Sequence, residues 1–422
     1  MSAQLHRLSN GVRVICDPMP GLETLALSVV AGRGARYEDE GRSGWSHLLE
    51  HMVFKGAGER SAREIVEVIE QEGGQLNAAT GYERTSFHVR ALKGGLDLGM
   101  AVVADLILRP KLDVADLKKE KQVVGQEIAE AADTPDDLVF ELAQAAAWQG
   151  QSLGRPILGT VKSLKPADPA ALAAWRAALY APDRLVVSAA GAVDEDEVLR
   201  LAEREFGHLA PEAGAPTSEP ARFTAGSAAK DRRLEQAHLV LMLPAPGAAD
   251  EDYFPLRVFT EALGGGMSSR LFQEAREKRG LAYAIDAYAE THPDGGVLGI
   301  YAGCAAKDAA ELARVAAGEL LALGASIGES ELARAKAQLK ASMFMGREQP
   351  LNRAEQSAGQ ALLFDRLYTA ADLAAAIEAV SAADIARLAG RLVAPRLSVG
   401  SVLGSKGALG APAAFEAALF AA

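Results

Sequence analysis

The sequence predicts an α+β fold made of two structurally similar domains, each a mainly antiparallel sheet covered by helices. One observation behind this prediction is that apolar, strand-like runs alternate with longer helical patterns along the chain. The strand-like runs are residues 25–30, 86–92, 185–190, 239–243, 283–288 and 297–301. We interpret this order as sheets covered by helices and not as a doubly wound parallel sheet.

A second observation is a loose internal repeat. Segment 184–191 recurs as 396–404, and the pattern of 117–128 recurs as 332–343, a spacing of about 212 to 215 residues in both cases. A chain of 422 residues is also too long for one compact core. Because the chain after residue 208 is rich in proline, alanine and glycine, we predict domains at 1–208 and 228–422, joined by a linker at 209–227.

Composition excludes several classes of function. The net charge of −12 argues against nucleic acid and anionic membranes as partners. Cys16 and Cys304 fall in different halves and lack a C-x-x-C partner, so we expect no disulfide framework and no cysteine metal site. We predict a cytoplasmic protein, because no secretory signal precedes the strand-like run 12–16 and no apolar stretch has the length of a membrane span.

The most informative motif is H-x-x-E-H at His47, Glu50 and His51, which is the inverzincin signature. On a helix, the two histidines are i and i+4 neighbours that can bind one metal ion, and Glu50 can accept a proton from an activated water. The alternative is a solvated or hydrogen-bonded face of an amphipathic helix. A catalytic zinc needs three protein ligands and an open position, so the motif still lacks one ligand.

The residues around the motif predict that it is helical. The pattern indicates a start with Ser43 or Ser46 as N-cap and a stop at Gly56. Between these signals lies an apolar stripe of Leu48, Leu49, Met52 and Val53. This context strengthens the interpretation as a metal site.

Segment 113–128 is a candidate source of the missing ligand, because it has helical periodicity with Asp113 as N-cap. Glu120 and Glu127 lie seven residues apart and share one face of this helix. Glutamates beside an apolar stripe are usually solvated, so periodicity alone does not choose among Glu120, Glu127 and Glu130.

The motif and the glutamates that follow it resemble the pitrilysin/insulinase family of zinc peptidases, in particular the β subunit of the mitochondrial processing peptidase and its bacterial relatives. The resemblance covers nearly the whole chain and includes segments 34–38 (where the family more often has serine at Ala35), 73–80, 154–159 and 263–271. It implies one Zn²⁺ per chain, with Glu127 as third ligand and Glu50 as general base. It also implies that Glu120 orients a histidine ligand.

The resemblance further implies how a peptide is held. Asn77 and Ala78 match the family's edge strand beside the metal, which binds substrate backbone. The alternative is that Asn77 serves a turn after the two glycines that precede this strand. Gly264, Gly265 and Gly266 match the glycine-rich loop of the processing peptidase, and no phosphate loop is expected because no G-K-[ST] follows.

The second half of the repeat lacks the candidate metal ligands. Ala335 and Ser342 occupy the positions that correspond to Glu120 and Glu127 of the first half. The second half carries Arg276 and Tyr283 instead, which match an arginine and tyrosine pair that approaches the active site from the non-metal half. The arginine can contact the substrate and the phenol can donate a hydrogen bond to an oxyanion. Without the resemblance, Arg276 would be interpreted as a surface helix charge.

Chains of this length pair in the family and enclose a chamber that admits unfolded peptides. Because this chain carries both residue sets, we expect a homodimer, with a heterodimer with a related subunit as the alternative. The expected function is a zinc endopeptidase that acts on oligopeptides or on unfolded, presequence-like segments. The alternative is a non-catalytic peptide-binding or assembly subunit, and a non-peptidase zinc hydrolase has no supporting motif.

Overall fold

In the computed structural model, residues 3–210 and 216–421 are described, and they form two compact units. The first unit consists of the described residues of Met1–Ala129, Pro156–Ser218 and Phe344–Thr369. The second unit consists of those of Glu130–Arg155, Glu219–Met343 and Ala370–Ala422. Residues 211–215, which belong to the predicted linker 209–227, lie outside the described residues.

The secondary structure of the described residues alternates between strands and helices. The strands are β1 (Gln4–Arg7), β2 (Arg13–Pro18), β3 (Thr24–Ala31), β4 (Gly56–Ala57), β5 (Arg60–Ser61), β6 (Gln75–Thr80), β7 (Thr85–Leu92), β8 (Leu185–Gly191), β9 (Gly226–Asp231), β10 (Ala237–Ala245), β11 (Ala282–Thr291), β12 (Gly296–Cys304) and β13 (Val399–Gly404). The α-helices are α1 (Trp45–Val53), α2 (Ala62–Gln71), α3 (Leu96–Leu108), α4 (Val114–Asp133), α5 (Pro135–Ala147), α6 (Val161–Leu164), α7 (Pro169–Leu179), α8 (Glu195–Phe206), α9 (Tyr253–Gly264), α10 (Ala309–Ala325), α11 (Glu329–Gly346), α12 (Pro350–Phe364), α13 (Ala370–Ala379), α14 (Ala382–Val393) and α15 (Ala411–Leu419). None of the described helices combines the length and apolar character that crossing a bilayer requires.

The first unit contains a sheet of order β1-β2-β8-β3-β7-β6. All neighbouring strands in it are antiparallel except β2 and β8, which are parallel. Side chains alternate between the two faces, so that Leu27 and Val29 of β3 join a core with α1, α3 and α8, whereas Val30 points to the other face. This core holds the helices that carry the predicted metal residues.

The second unit contains a sheet of order β11-β12-β10-β13-β9, in which β13 and β9 form the parallel pair. The repeated segments supply β8 in one sheet and β13 in the other. Both strands have one parallel and one antiparallel neighbour. The prediction of a duplicated α+β fold with mainly antiparallel sheets is therefore confirmed, and each of the six strand-like runs lies within an observed strand.

Each unit contains a helix that comes from the other half of the chain. The predicted division into domains at a single linker does not include this exchange. Helix α12, from the second half of the chain, packs on β2, β3 and β8 of the first sheet. Helix α5, from the first half, packs on β9, β10 and β13 of the second sheet. The contacts of α12 bury Ile15, Val30 and Val186 against Ala358 and Ala361. An apolar stripe shows that a helix buries one face, but it does not show which sheet receives that face.

A buried ion pair fixes α12 to the first sheet. Asp17 of β2 is completely buried, and its carboxylate accepts hydrogen bonds from Nε of Arg353, at 2.7 Å, and from Nη2 of the same residue. Removing one partner of such a pair leaves a buried charge without compensation.

We expect Arg353→Met to lower the free energy of unfolding by about 3 kcal/mol or more, because Asp17 then stays buried and unpaired. Urea denaturation of the purified chain measures this change. The double variant Asp17→Asn with Arg353→Met should be more stable than Arg353→Met alone, since it removes the buried charge. Equal stability of wild type and Arg353→Met would show that this pair does not hold α12.

Candidate metal centre

Helix α1 carries the H-x-x-E-H motif and is anchored by its opposite side. Its predicted apolar stripe is completely buried and consists of Leu48, Leu49, Met52 and Val53. The side chains of His47 and His51 on the other side are only 15% and 18% exposed. The helical prediction for this motif is therefore confirmed, and the histidines lie in a partly desolvated position.

The predicted N-cap of α1 is wrong. Gly44, with φ +88°, occupies the cap position, and neither Ser43 nor Ser46 accepts a capping hydrogen bond through its hydroxyl. Instead, the buried carboxylate of Glu38 accepts hydrogen bonds from the backbone N–H groups of Gly44 and Ser46, both at 2.7 Å. The sequence cue looks for a local hydroxyl, whereas this cap comes from a carboxylate several residues upstream.

Segment 154–159 helps to fix the same end of α1. Gly159, with φ +69°, lies so close to Gly44 that a Cβ on it would overlap the carbonyl oxygen of Ser43. Next to this contact, Ser163 Oγ donates a hydrogen bond to Ser43 O at 2.6 Å, and Trp45 Nε1 donates to Ser163 O at 2.9 Å. The segment therefore supports the start of the helix that carries the motif.

Three side chains from α1 and α4 converge on one point. His47, His51 and Glu127 each offer one ligand atom, and these atoms lie within 4.8 Å of one another. Glu127 Oε2 is 3.8 Å from His47 Nε2 and 3.6 Å from His51 Nε2. Two imidazole nitrogens and one carboxylate oxygen form a ligand set typical of catalytic zinc, so these residues fit that ion. Glu130, the other candidate left open by periodicity, is not part of the cluster.

Glu120 contacts His51 at Nδ1, the ring nitrogen that is not in the ligand cluster. Its buried carboxylate places Oε2 3.1 Å from His51 Nδ1 and Oε1 2.9 Å from Lys55 Nζ. A proton on Nδ1 donated to Glu120 leaves the Nε2 lone pair directed at the cluster. Sequence reasoning missed Lys55, although its position four residues after His51 is a signal for contact on one helix side.

Burial sets the protonation of the motif. It lowers the pKa of His47 to about 4, with a further contribution from His51, so the ring is neutral near pH 7 and free to bind a metal. Burial also raises the pKa of the Glu50 carboxyl, and the neighbouring Thr80 offsets part of this increase. Glu50 Oε2 is buried without a hydrogen-bond partner among the described residues. A raised pKa suits a group that accepts and then returns a proton.

Asn77 and Ala78 lie in β6, the edge strand of the first sheet, so Asn77 does not serve a turn. The N–H of Ala78 donates to Asn77 Oδ1 at 2.9 Å, and Ala78 is in register with Phe87 of β7. Helix α1 packs against this strand. The last residue of the strand, Thr80, lowers the pKa of the Glu50 carboxyl. An open strand edge therefore runs beside the motif.

Arg276 and Tyr283 belong to the second unit, where they contact each other. Arg276 lies in a π-helix, Phe272–Lys278, and its Cζ is 4.6 Å from the Phe272 ring and 5.1 Å from the Tyr283 ring. Tyr283 is 73% exposed. Sequence reasoning missed Phe272, whose i, i+4 spacing from Arg276 is a signal for stacking. Among the described residues of the second unit, no three candidate metal ligands lie together.

The three glycines of the predicted loop have different environments. Gly264 is the last residue of α9, and a Cβ on it would overlap the backbone of Ala287 in β11. Gly265 caps that helix, and Gly266 is exposed with open space around it. The loop thus begins after Gly264, which serves the packing of α9 on the sheet.

Comparisons with known proteins show which families and sequences this chain resembles. A family model described as Insulinase (Peptidase family M16) matches residues 13–161, and one described as Peptidase M16 inactive domain matches residues 166–339. A protein of Rickettsia bellii named an uncharacterized zinc protease is 33% identical over 389 residues, 92% of this chain and 94% of that protein. A protein of Bacillus subtilis, also named an uncharacterized zinc protease, is 35% identical over 388 residues, 92% of this chain and 95% of that protein.

Solved structures show the same fold. The crystal structure of a protease from Helicobacter pylori has a TM-score of 0.88 and 22% identity, covering 95% of this chain and 99% of that one. A chain of complex III2 from Candida albicans has a TM-score of 0.86 and 21% identity, covering 99% of both chains.

We expect His47→Ala, His51→Ala and Glu127→Ala each to lose bound zinc, because two remaining ligands hold the ion weakly. Glu130→Ala, on the same helix, is the control and should keep the zinc content of the wild type. Inductively coupled plasma mass spectrometry after gel filtration measures the metal. Full zinc in Glu127→Ala combined with loss in Glu120→Ala would assign the third ligand to Glu120.

Proposed function

The chain belongs to the M16 family of peptidases, also called the insulinase family, and we propose that it is a zinc endopeptidase. Its substrates are oligopeptides or unfolded, presequence-like segments. The observation that carries the proposal is the His47, His51 and Glu127 cluster, with the partly buried Glu50 on the same helix. The names of the two bacterial relatives support the same activity.

Hydrolysis requires a proton acceptor beside the scissile bond. When bound, Zn²⁺ supplies Lewis-acid polarisation of the substrate carbonyl and makes a nearby water more acidic. The Glu50 carboxylate accepts the proton of the attacking water and then returns it to the leaving amine. Its buried position and the raised pKa of its carboxyl support this double role.

The peptide is held through its backbone. A substrate strand adds to the edge of β6, where Asn77 and Ala78 provide main-chain hydrogen-bond partners. This mode accepts many sequences, because the hydrogen bonds do not involve substrate side chains. Support comes from the edge position of β6 in its sheet and from the packing of α1 against this strand.

In this proposal, the second unit of a partner chain completes the site. The Tyr283 hydroxyl donates a hydrogen bond to the developing oxyanion, and the Arg276 guanidinium contacts the substrate carbonyl. Contacts with the Phe272 and Tyr283 rings orient the Arg276 guanidinium before substrate arrives. Gly265 and Gly266 leave backbone accessible next to a peptide.

We further propose that two identical chains enclose the reaction chamber, so that the metal unit of one chain faces the second unit of the other. The presence of both residue sets in one chain supports a homodimer, and a related partner chain is the alternative. A non-catalytic subunit would need none of the metal residues, all of which this chain retains.

Glu50→Gln should keep its zinc and lose peptide cleavage by about a hundredfold or more, because an amide preserves shape but does not accept the proton. Cleavage of a mixed peptide library by mass spectrometry, together with zinc content, measures both properties. Glu70→Gln on the exposed side of α2 is the control and should leave both unchanged. Activity of Glu50→Gln within about tenfold of wild type would remove Glu50 as the base.

Complementation tests the assembly. Glu50→Gln and the double variant Arg276→Ala with Tyr283→Phe should each be inactive as homodimers, yet a mixed dimer should recover activity at one composite site. Co-expression with two different tags isolates the mixed dimer. No activity above either parent would reject a site shared between chains and leave the zinc assignment untouched.

A further inference from the structure

We propose that segment Gly34–Glu38 is a positioning brace for the metal centre and that Glu38 is the residue through which it acts. In this inference, which rests on the proposed zinc peptidase function, the Glu38 carboxylate holds the first turn of α1. It thereby fixes the imidazole of His47. Glu38 is not part of the ligand cluster and acts through the backbone of α1, so it is a positioning residue and not a catalytic one.

The first turn of α1 depends on a cap more than the second turn does. The first backbone N–H groups of a helix have no acceptor within it. Glu38 accepts from two N–H groups at this end, one through each carboxylate oxygen, those of Gly44 and Ser46. His47 directly follows Ser46 and lies in this turn, whereas Glu50 and His51 lie in the next turn. Of the two histidine ligands, His47 is therefore the one that depends on the cap.

The cap is built from a buried charge. Glu38 is only 4% exposed, although a carboxylate of this kind is expensive to bury without strong partners. The positive end of the helix dipole adds to the two hydrogen bonds that stabilise it. A neutral amide offers a single acceptor oxygen, so Glu38→Gln leaves one of the two N–H groups without its acceptor.

The other end of the brace holds the turn that follows β6. Ala35 N donates to Gly81 O at 3.0 Å, and Arg36 N donates to Tyr82 O at 2.9 Å. A Cβ on Gly34 would overlap the Gly81 carbonyl oxygen, so the close approach requires glycine. The brace therefore ties the start of the metal helix to the end of the strand that carries Thr80, the neighbour of Glu50.

The neighbouring Asp39 provides a matched control. Its exposed carboxylate caps the short 3-10 turn Glu40–Arg42, where it accepts from Arg42 N at 3.0 Å and from Nε of the same residue at 2.9 Å. The substitution Asp39→Asn thus removes a charge next to Glu38 and changes a cap that does not belong to α1.

The test uses full-length wild type, Glu38→Gln and Asp39→Asn. Zinc affinity is measured by competition with a chelator, and hydrogen exchange of metal-free protein is followed by mass spectrometry in a peptide covering residues 44–48. Glu38→Gln should bind zinc about tenfold more weakly and exchange faster in this peptide, while peptides of β3 and β8 exchange as in wild type. Asp39→Asn should match the wild type in both measurements.

The outcomes separate this inference from the proposed function. Wild type that binds no zinc would defeat the proposed function itself. Wild type that binds zinc no more tightly than Glu38→Gln would overturn the brace alone. Weaker zinc binding with unchanged exchange in residues 44–48 would overturn it as well, because the first turn of α1 would then be unaffected. Weaker binding with faster exchange throughout the first unit would also overturn it, because the effect would then not be local. Should Glu38→Gln fail to fold, Glu38→Asp is judged by the same criteria, because its shorter side chain keeps the charge but does not span both N–H groups.

Discussion

The proposed metal centre requires that two helices from distant parts of the chain be held at a fixed separation, so that three side chains can reach one ion. Both helices pack into one hydrophobic core, α1 through its apolar stripe and α4 through buried Leu117 and Val124. This packing places Glu127 Oε2 within 3.8 Å of both histidine Nε2 atoms. Burial also has an electrostatic effect, since it keeps His47 neutral and makes Glu50 a stronger proton acceptor. The chemistry of the site thus follows from where the two helices enter the core.

Among the described residues, only the first of the two duplicated units brings a cluster of candidate metal ligands together. The two sheets have the same arrangement of parallel and antiparallel strands around β8 and β13, so either could support such a site. At the position equivalent to Glu120, however, α11 has Ala335, which is buried in the second core. Ser342, at the position of Glu127, is exposed and is a poor metal ligand. The second unit instead presents Tyr283 on its edge strand.

Local features of the fold and site were predictable from sequence, whereas features set by distant contacts were not. The spacing of His47 and His51 follows from helix geometry, and both residues belong to the ligand cluster. Periodicity left the third ligand open among three glutamates, because the face of α4 that meets α1 depends on tertiary packing. The Glu38 cap and the exchange of α5 and α12 were missed for the same reason. No local pattern encodes which distant element a side chain meets.

The central claim is that this protein holds a zinc ion through two imidazoles and one carboxylate and leaves a position open for water. X-ray absorption at the zinc K-edge of the purified, zinc-loaded chain tests it most directly. Zinc held by His47, His51 and Glu127 should give a spectrum with about two imidazole nitrogens and further oxygen ligands, without sulfur. The oxygen shell should change when a peptide-like hydroxamate is added, while the imidazole contribution stays. A closed shell that the hydroxamate does not alter, or a spectrum without two imidazoles, would contradict the account.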